Sequence, residues 1–215
     1  MNTKITRNRS HLPYALILPL YLAMYMLAEQ LVVDEYWVSW IPLDNHIPFC
    51  KWFVLPYVSW YAFMILPGIV LMLKNGESFK KYMLYVAAGF FSALIFCLIF
   101  PNGQDLRPPQ LSNDHFCDRL LMAIYSADTN TNVCPSMHVI GSLGVVFAAW
   151  HNFCGRLHPL RWLTLLYALV ICASTVLVKQ HSILDVFIGI PWALICGWLV
   201  YRPKWLIRKG IRNIS

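Results

Sequence analysis

The chain has 215 residues, of which 59% are hydrophobic and 13% charged. Soluble domains carry roughly a quarter charged residues, so the composition excludes an ordinary soluble enzyme and points to a single helical membrane bundle. A formal charge of +7 suggests nucleic acid as a partner only until the basic residues are placed along the chain.

Crossing a bilayer takes about 20 apolar residues. In chain order, the segments that approach this are 12–33, 52–73, 82–100, 137–150, 162–178 and 183–201. The first is too long for a cleavable signal and no small-residue cleavage site follows it, so it reads as a span. The fourth is short, at 14 residues. With the N-terminus inside, the inner connections collect 13 of the 17 Lys and Arg residues, against a single acid, Glu77. Only Lys51, Arg107, Arg119 and Lys179 remain outside, with most of the acids. This is the positive-inside pattern, reinforced by attraction to anionic headgroups, and it leaves no reason to invoke nucleic acid. The fourth span is needed here: without it, Arg156, Arg161 and the basic tail would all fall outside, against the positive-inside pattern.

The expected fold is therefore an all-α integral membrane protein with six transmembrane helices and both termini cytoplasmic, multi-pass in the cell membrane. Residues 1–215 form one membrane domain, with a basic N-terminus at 1–11 and a basic tail at 202–215. The outer segment 34–51 contains Trp37 and Trp40, with Trp52 just beyond, and reads as an interfacial belt. The outer loop 101–136, between the third and fourth spans, is dense in polar side chains; a long loop on a rigid bundle is a common place for function.

Of the seven cysteines, Cys97, Cys172 and Cys196 lie in spans and Cys154 at the inner face, where packing is the expected role. Cys117 and Cys134 share the outer loop and are candidates to pair in an oxidising compartment, with Cys50 as a competing partner. No CxxC pair supports a zinc site.

The informative polar residues cluster at three outer ends of spans. "PNGQDLRPPQ" holds Arg107, "CPSMHVIGS" holds Ser136 and His138, and "STVLVKQHSILDVFIGI" holds Lys179, His181 and Asp185. Ionisable groups at membrane depth are costly and demand a partner or a task. His181 and Asp185 are four residues apart, a spacing that stacks side chains on one helix face. A carboxylate there accepts one ring N–H and leaves the other nitrogen as a nucleophile or base. His138 adds an imidazole from another helix as proton donor. Arg107 and Lys179 offer cations for a phosphate, and Ser136 with the first amides of the fourth span offers an anion-binding helix end. A phosphate held by cations, attacked by one histidine and protonated on its leaving oxygen by another, accounts for all of these parts.

On these residues the chain resembles the type 2 phosphatidic acid phosphatase superfamily of membrane lipid phosphatases, whose motifs are KxxxxxxRP, PSGH and SRxxxxxHxxxD. Arg107-Pro108 matches the end of the first motif, Pro135-Ser136-Met137-His138 the second with one change, and Ser174, His181 and Asp185 the third. The resemblance implies that His181 forms a phosphohistidine, that Asp185 orients it, and that His138 protonates the leaving lipid alcohol and later activates water. Arg107, Ser136 and the Met137 amide would bind phosphoryl oxygens, with no metal and no cofactor. Two family cations are replaced: the lysine position falls on Phe100 and the arginine position on Thr175. Lys179 is the candidate substitute, its alternative being a side chain that snorkels to the interface. The departures resemble a divergent branch that includes inositol phosphorylceramide synthase and related lipid phosphotransferases.

The expected activity is hydrolysis of a phosphomonoester or diphosphate lipid at the extracytoplasmic face. The alternatives are a lipid phosphotransferase or phosphodiesterase, inositol phosphorylceramide or sphingomyelin synthase-like, and a non-catalytic lipid-binding or transport bundle. Asp105, Asp114, His115, Asp118 and Asp128 read as solvated loop charge, with headgroup access as the functional alternative for one of them. Glu29 reads as interfacial or as lining the substrate entrance.

Overall fold

The computed structural model describes residues 9–31, 35–153 and 157–202. Residues 1–8 and 203–215, which carry much of the basic charge behind the expected orientation, lie outside the described residues, as do Cys154 and Arg156. Among the described residues the helices are α1 Ile17–Leu31, α2 Val54–Lys74, α3 Gly76–Ile99, α4 Phe116–Ala127, α5 Met137–Asn152, α6 Pro159–Leu177 and α7 Ile183–Tyr201. Five helical stretches are long and apolar enough to cross a membrane: Leu12–Leu31, Lys51–Lys74, Gly76–Ile99, Pro159–Leu177 and Ile183–Tyr201. Their outward faces expose Leu20, Leu27, Leu66, Leu163, Ile195 and Trp198. A soluble monomer rarely leaves so much contiguous apolar surface uncovered, so the chain is a multi-pass membrane protein.

The expected fourth span corresponds to α5, which has 16 residues and is too short for that criterion. It packs against α2, α3, α6 and α7 and buries Val139, Ile140, Val145, Ala148 and Ala149. A helix enclosed by others meets protein rather than lipid, so its length need not match the bilayer. Glycine makes the close approach possible. A methyl group at Gly141 would collide with Met64 and Trp60 of α2, and one at Gly144 with Tyr85 of α3. Around this seam lies an aromatic core that includes Trp60, Tyr82, Tyr85 and Phe90.

A polar layer caps one end of the bundle. Segment 35–51 is joined to the loop after α3 by two short parallel strands, β1 Trp37–Val38 and β2 Asn102–Gly103. The loop 101–136 also contains α4, a helix too short to register as a span in the sequence. It packs Cys117 and Leu121 against Val54, Tyr57 and Val178. Asp118 was expected to be solvated; instead it is buried, 2.7 Å from Lys51 Nζ and accepting from Ser112 Oγ at 2.9 Å. The candidate pair Cys117 and Cys134 is not joined: both thiols are free, as is Cys50. Their surroundings explain this. Cys117 belongs to the apolar cluster under α4, whereas Cys134 lies beside Cys97, whose Sγ donates to the Cys134 carbonyl at 3.2 Å.

Candidate active site

The turn between α6 and α7 is built from the Thr175 carbonyl, which accepts the N–H groups of Gln180 at 3.0 Å and His181 at 3.2 Å. Lys179 adopts a left-handed φ of 55°, which brings the chain back on itself. Ser182 is the N-cap of α7 and Asp185 its third residue, forming a capping box. One Asp185 oxygen accepts from the Ser182 N–H at 3.0 Å and lies 3.2 Å from His181 Nδ1. The other accepts from the Ser39 hydroxyl. His181 thus precedes the helix instead of sitting on its first turn, and the pair meets through the capping box rather than along a helix face. With the Nδ1 proton donated to Asp185, the Nε2 lone pair is left for chemistry.

His138, the second residue of α5, approaches from the other side. Its ring centroid is 5.7 Å from that of His181, at an interplanar angle of 67°. Tyr57 and Trp60 flank it, each with its ring centroid 4.3 Å away. Both ring nitrogens are buried with no hydrogen-bond partner among the described residues, and so is Ser136 Oγ. Ser136 occupies the N-cap position of α5, yet its side chain makes no cap hydrogen bond. The Met137 and His138 amides open the helix and have no intrahelical acceptor, a geometry suited to an anion. Buried polar atoms left unpaired cost about 1–3 kcal/mol each, so several around one space mark where a polar ligand belongs.

The expected cations are not brought to this space. Arg107 Nε donates to Gln180 Oε1 at 2.9 Å, and its two terminal nitrogens donate to the carbonyls of Tyr125, Asp128 and Thr129 at 2.7–3.1 Å. Its guanidinium also stacks on Tyr125. Lys179 Nζ points into segment 35–51, donating to the carbonyls of Asp44 at 3.2 Å and Ile47 at 2.6 Å. Burial pulls its ammonium below the ordinary lysine value, and Asp44 opposes that shift. The two positions of the replaced family cations offer nothing either: Phe100 is exposed and Thr175 is fully buried.

A cavity of about 390 Å³ joins the two histidines and is walled by α1, α2, α5 and the loop after α4. Its wall includes Tyr21, Tyr25, Tyr57, Trp60, Met137, His138, Gln180, His181 and Asp128, with no Lys or Arg among the described lining residues. Leu22, Met26 and Tyr61 both line it and are exposed on the bundle exterior, giving it a lateral opening between α1 and α2. A second cleft of about 500 Å³, lined by Arg9, His11, Lys74 and Glu77, has no paired histidines.

Four residues escaped the sequence reading. Ser39 donates to Asp185 from 146 residues away. Asp44 accepts from Ser182 Oγ at 2.6 Å and from the Ile183 N–H at 2.8 Å, capping α7 from outside. Tyr57 and Trp60, three residues apart and so on one face of α2, clamp His138. Their spacing was a visible signal; Ser39 and Asp44 carried none.

No curated protein and no solved structure matches the chain significantly. The family model of the PAP2 superfamily matches residues 81–209, more than half of the chain, and covers α5, the turn after α6 and Asp185. The chain belongs to the PAP2 superfamily, whose members are typically phosphatases or phosphotransferases acting on phosphoesters, here within a membrane bundle.

Proposed function

We propose that the protein is a membrane lipid phosphoesterase that works through a phosphohistidine on His181, at the extracytoplasmic end of a six-span bundle whose termini are cytoplasmic. The observation that carries this reading is the juxtaposition of an Asp185-oriented imidazole with a second, unpaired imidazole in one laterally open cavity. His181 Nε2 attacks phosphorus, the bond from phosphorus to the lipid oxygen breaks, and protonated His138 gives its proton to the departing alkoxide. Water then attacks phosphorus, His138 takes its proton, and the phosphorus–nitrogen bond breaks. Asp185 stabilises the imidazolium character that His181 acquires, and Ser39 and Asp44 hold that carboxylate and its helix in register. The Ser136 hydroxyl and the first amides of α5 bind the phosphoryl oxygens. Binding alone would need neither a neutral imidazole nor its orienting carboxylate, which argues against a transport bundle.

A second reading, transfer from a phosphodiester to a lipid alcohol in the manner of inositol phosphorylceramide synthase-like enzymes, draws support from one observation. The cavity wall lacks Lys and Arg among its described residues, and a phosphomonoester dianion calls for more compensating charge than a diester monoanion. The test is turnover by purified full-length protein in detergent against monoester, diphosphate and diester lipids, with and without a lipid alcohol. Phosphoester cleavage lost in His181→Ala supports the reading; full activity in both His181→Ala and His138→Ala contradicts it. A new phospholipid formed at the expense of the water product favours transfer.

A further inference from the structure

Asn102, the first residue of β2, makes contacts that the catalytic reading does not use. It is fully buried. Its backbone carbonyl accepts the Asn132 N–H at 2.7 Å, next to an antiparallel bridge between Gly103 and Thr131. The Asn102 side chain extends that pairing toward α5. Oδ1 accepts the Cys134 N–H at 2.7 Å, and Nδ2 donates to the Cys134 carbonyl at 3.1 Å and the Phe100 carbonyl at 2.9 Å. A carboxamide carries a donor and an acceptor side by side, as a peptide group does, so it pairs with both polar groups of one residue. A carboxylate or an apolar side chain of the same size cannot.

Residue 134 is a consequential place for such a clamp. Two residues later Ser136 occupies the N-cap position of α5, and its N–H donates to the Asp185 carbonyl at 3.3 Å. Toward β1, the Gly103 carbonyl accepts the Ser39 N–H at 2.7 Å, and the Ser39 hydroxyl reaches the Asp185 carboxylate. Asn102 thus lies between the strand that steadies Asp185 and the turn that carries Ser136 and His138.

We propose that Asn102 is a positioning residue that sets the anion-binding end of α5 against the His181–Asp185 pair. The inference rests on the His181 reading of the site. Asn102 is not among the described residues lining the cavity, so it acts through the Cys134 peptide on Ser136 and on the Met137 and His138 amides. A misplacement of about 1 Å among such groups costs about a hundredfold in rate, which gives a clamp two residues away leverage on the chemistry.

The experiment measures binding of orthovanadate, a phosphate analogue that accepts a histidine nitrogen as its fifth ligand, by titration calorimetry of the full-length protein in detergent. Asn102→Leu keeps the side-chain size and removes both hydrogen bonds to Cys134. Its vanadate Kd should rise roughly tenfold, the scale of one hydrogen bond to a charged group. Ser136→Ala should weaken vanadate severalfold in the wild-type chain but hardly at all in Asn102→Leu, where the hydroxyl is already misplaced. A general loss of stability would leave the Ser136→Ala factor equal in both backgrounds, and that result overturns the inference. So does an unchanged Kd in Asn102→Leu. Where Asn102→Leu does not fold, Asn102→Asp carries the same comparison with the same outcomes, since it keeps the acceptor for the Cys134 N–H and loses the donor. If either overturning result is found while His181→Ala abolishes binding, the positioning role fails and the His181 reading stands. Binding unchanged in His181→Ala, or absent from the wild-type chain, overturns the reading itself.

Discussion

The two histidines of the cavity are held by opposite means. His181 belongs to a polar network: Asp185 receives its ring N–H, the Ser182 amide and the Ser39 hydroxyl, and Asp44 secures the start of the same helix. His138 is held by shape, stacked on Tyr57 and against the tilted ring of Trp60, with neither nitrogen engaged among the described residues. A nucleophile benefits from a fixed tautomer and direction, which hydrogen bonds supply. A group that must give a proton and later take one back benefits from nitrogens left free for the substrate, which stacking permits. Hydrogen-bond orientation on one side and steric orientation on the other are two solutions to the same need for preorganisation.

Substitutions separate the two halves. His181→Ala should cost most, roughly a thousandfold or more in kcat, since it removes the group that carries the intermediate. His138→Ala should follow, at roughly 10²–10⁴-fold, the usual range for a lost general acid. On the polar side, Ser39→Ala removes one hydrogen bond to a charged acceptor, worth about 1.5–3 kcal/mol, so kcat should fall about tenfold or more. KM should hardly move, and the pH profile of kcat/KM should shift as Asp185 loses a donor. On the steric side, Tyr57→Leu removes a stacking partner worth about 0.5–1.5 kcal/mol and should lower kcat severalfold with that pH profile unchanged. If Tyr57→Leu moves the pH profile and Ser39→Ala does not, the division between the halves is wrong.

The smallest effect is expected away from both histidines, where Lys51 and Ser112 hold the Asp118 carboxyl below the usual carboxylate range. A depressed folded-state value stabilises above the unfolded carboxylate pKa of about 3.9 and loses that stabilisation as pH falls through the folded value. Thermal unfolding followed from neutral to acid pH should therefore show a small acid-side loss of stability that Lys51→Met reduces.

The sequence revealed residue types and spacings but not directions. His181 and Asp185 were recognisable as a pair because four residues separate them, yet the contact arises from the capping box of α7. Five spans were visible as apolar runs, whereas α4 was hidden because its twelve residues, FCDRLLMAIYSA, are too few to span and sit inside a polar loop. Arg107 and Lys179 were visible as charges at the right depth; only tertiary structure shows their side chains turned to backbone carbonyls. Ser39 and Asp44 were illegible because each acts across more than a hundred residues through a single contact region. Asp128, which composition assigns to solvent, lines the cavity because α4 ends beside Tyr25 and Gln180.

The central claim is the phosphohistidine on His181. Rapid mixing of the full-length protein with a lipid labelled at phosphorus, an alkaline quench and peptide mapping would locate it. A transient label is expected on the peptide containing His181, stable to alkali, labile to acid and absent in His181→Ala. Undiminished turnover in His181→Ala, or a label on any other residue, would contradict it.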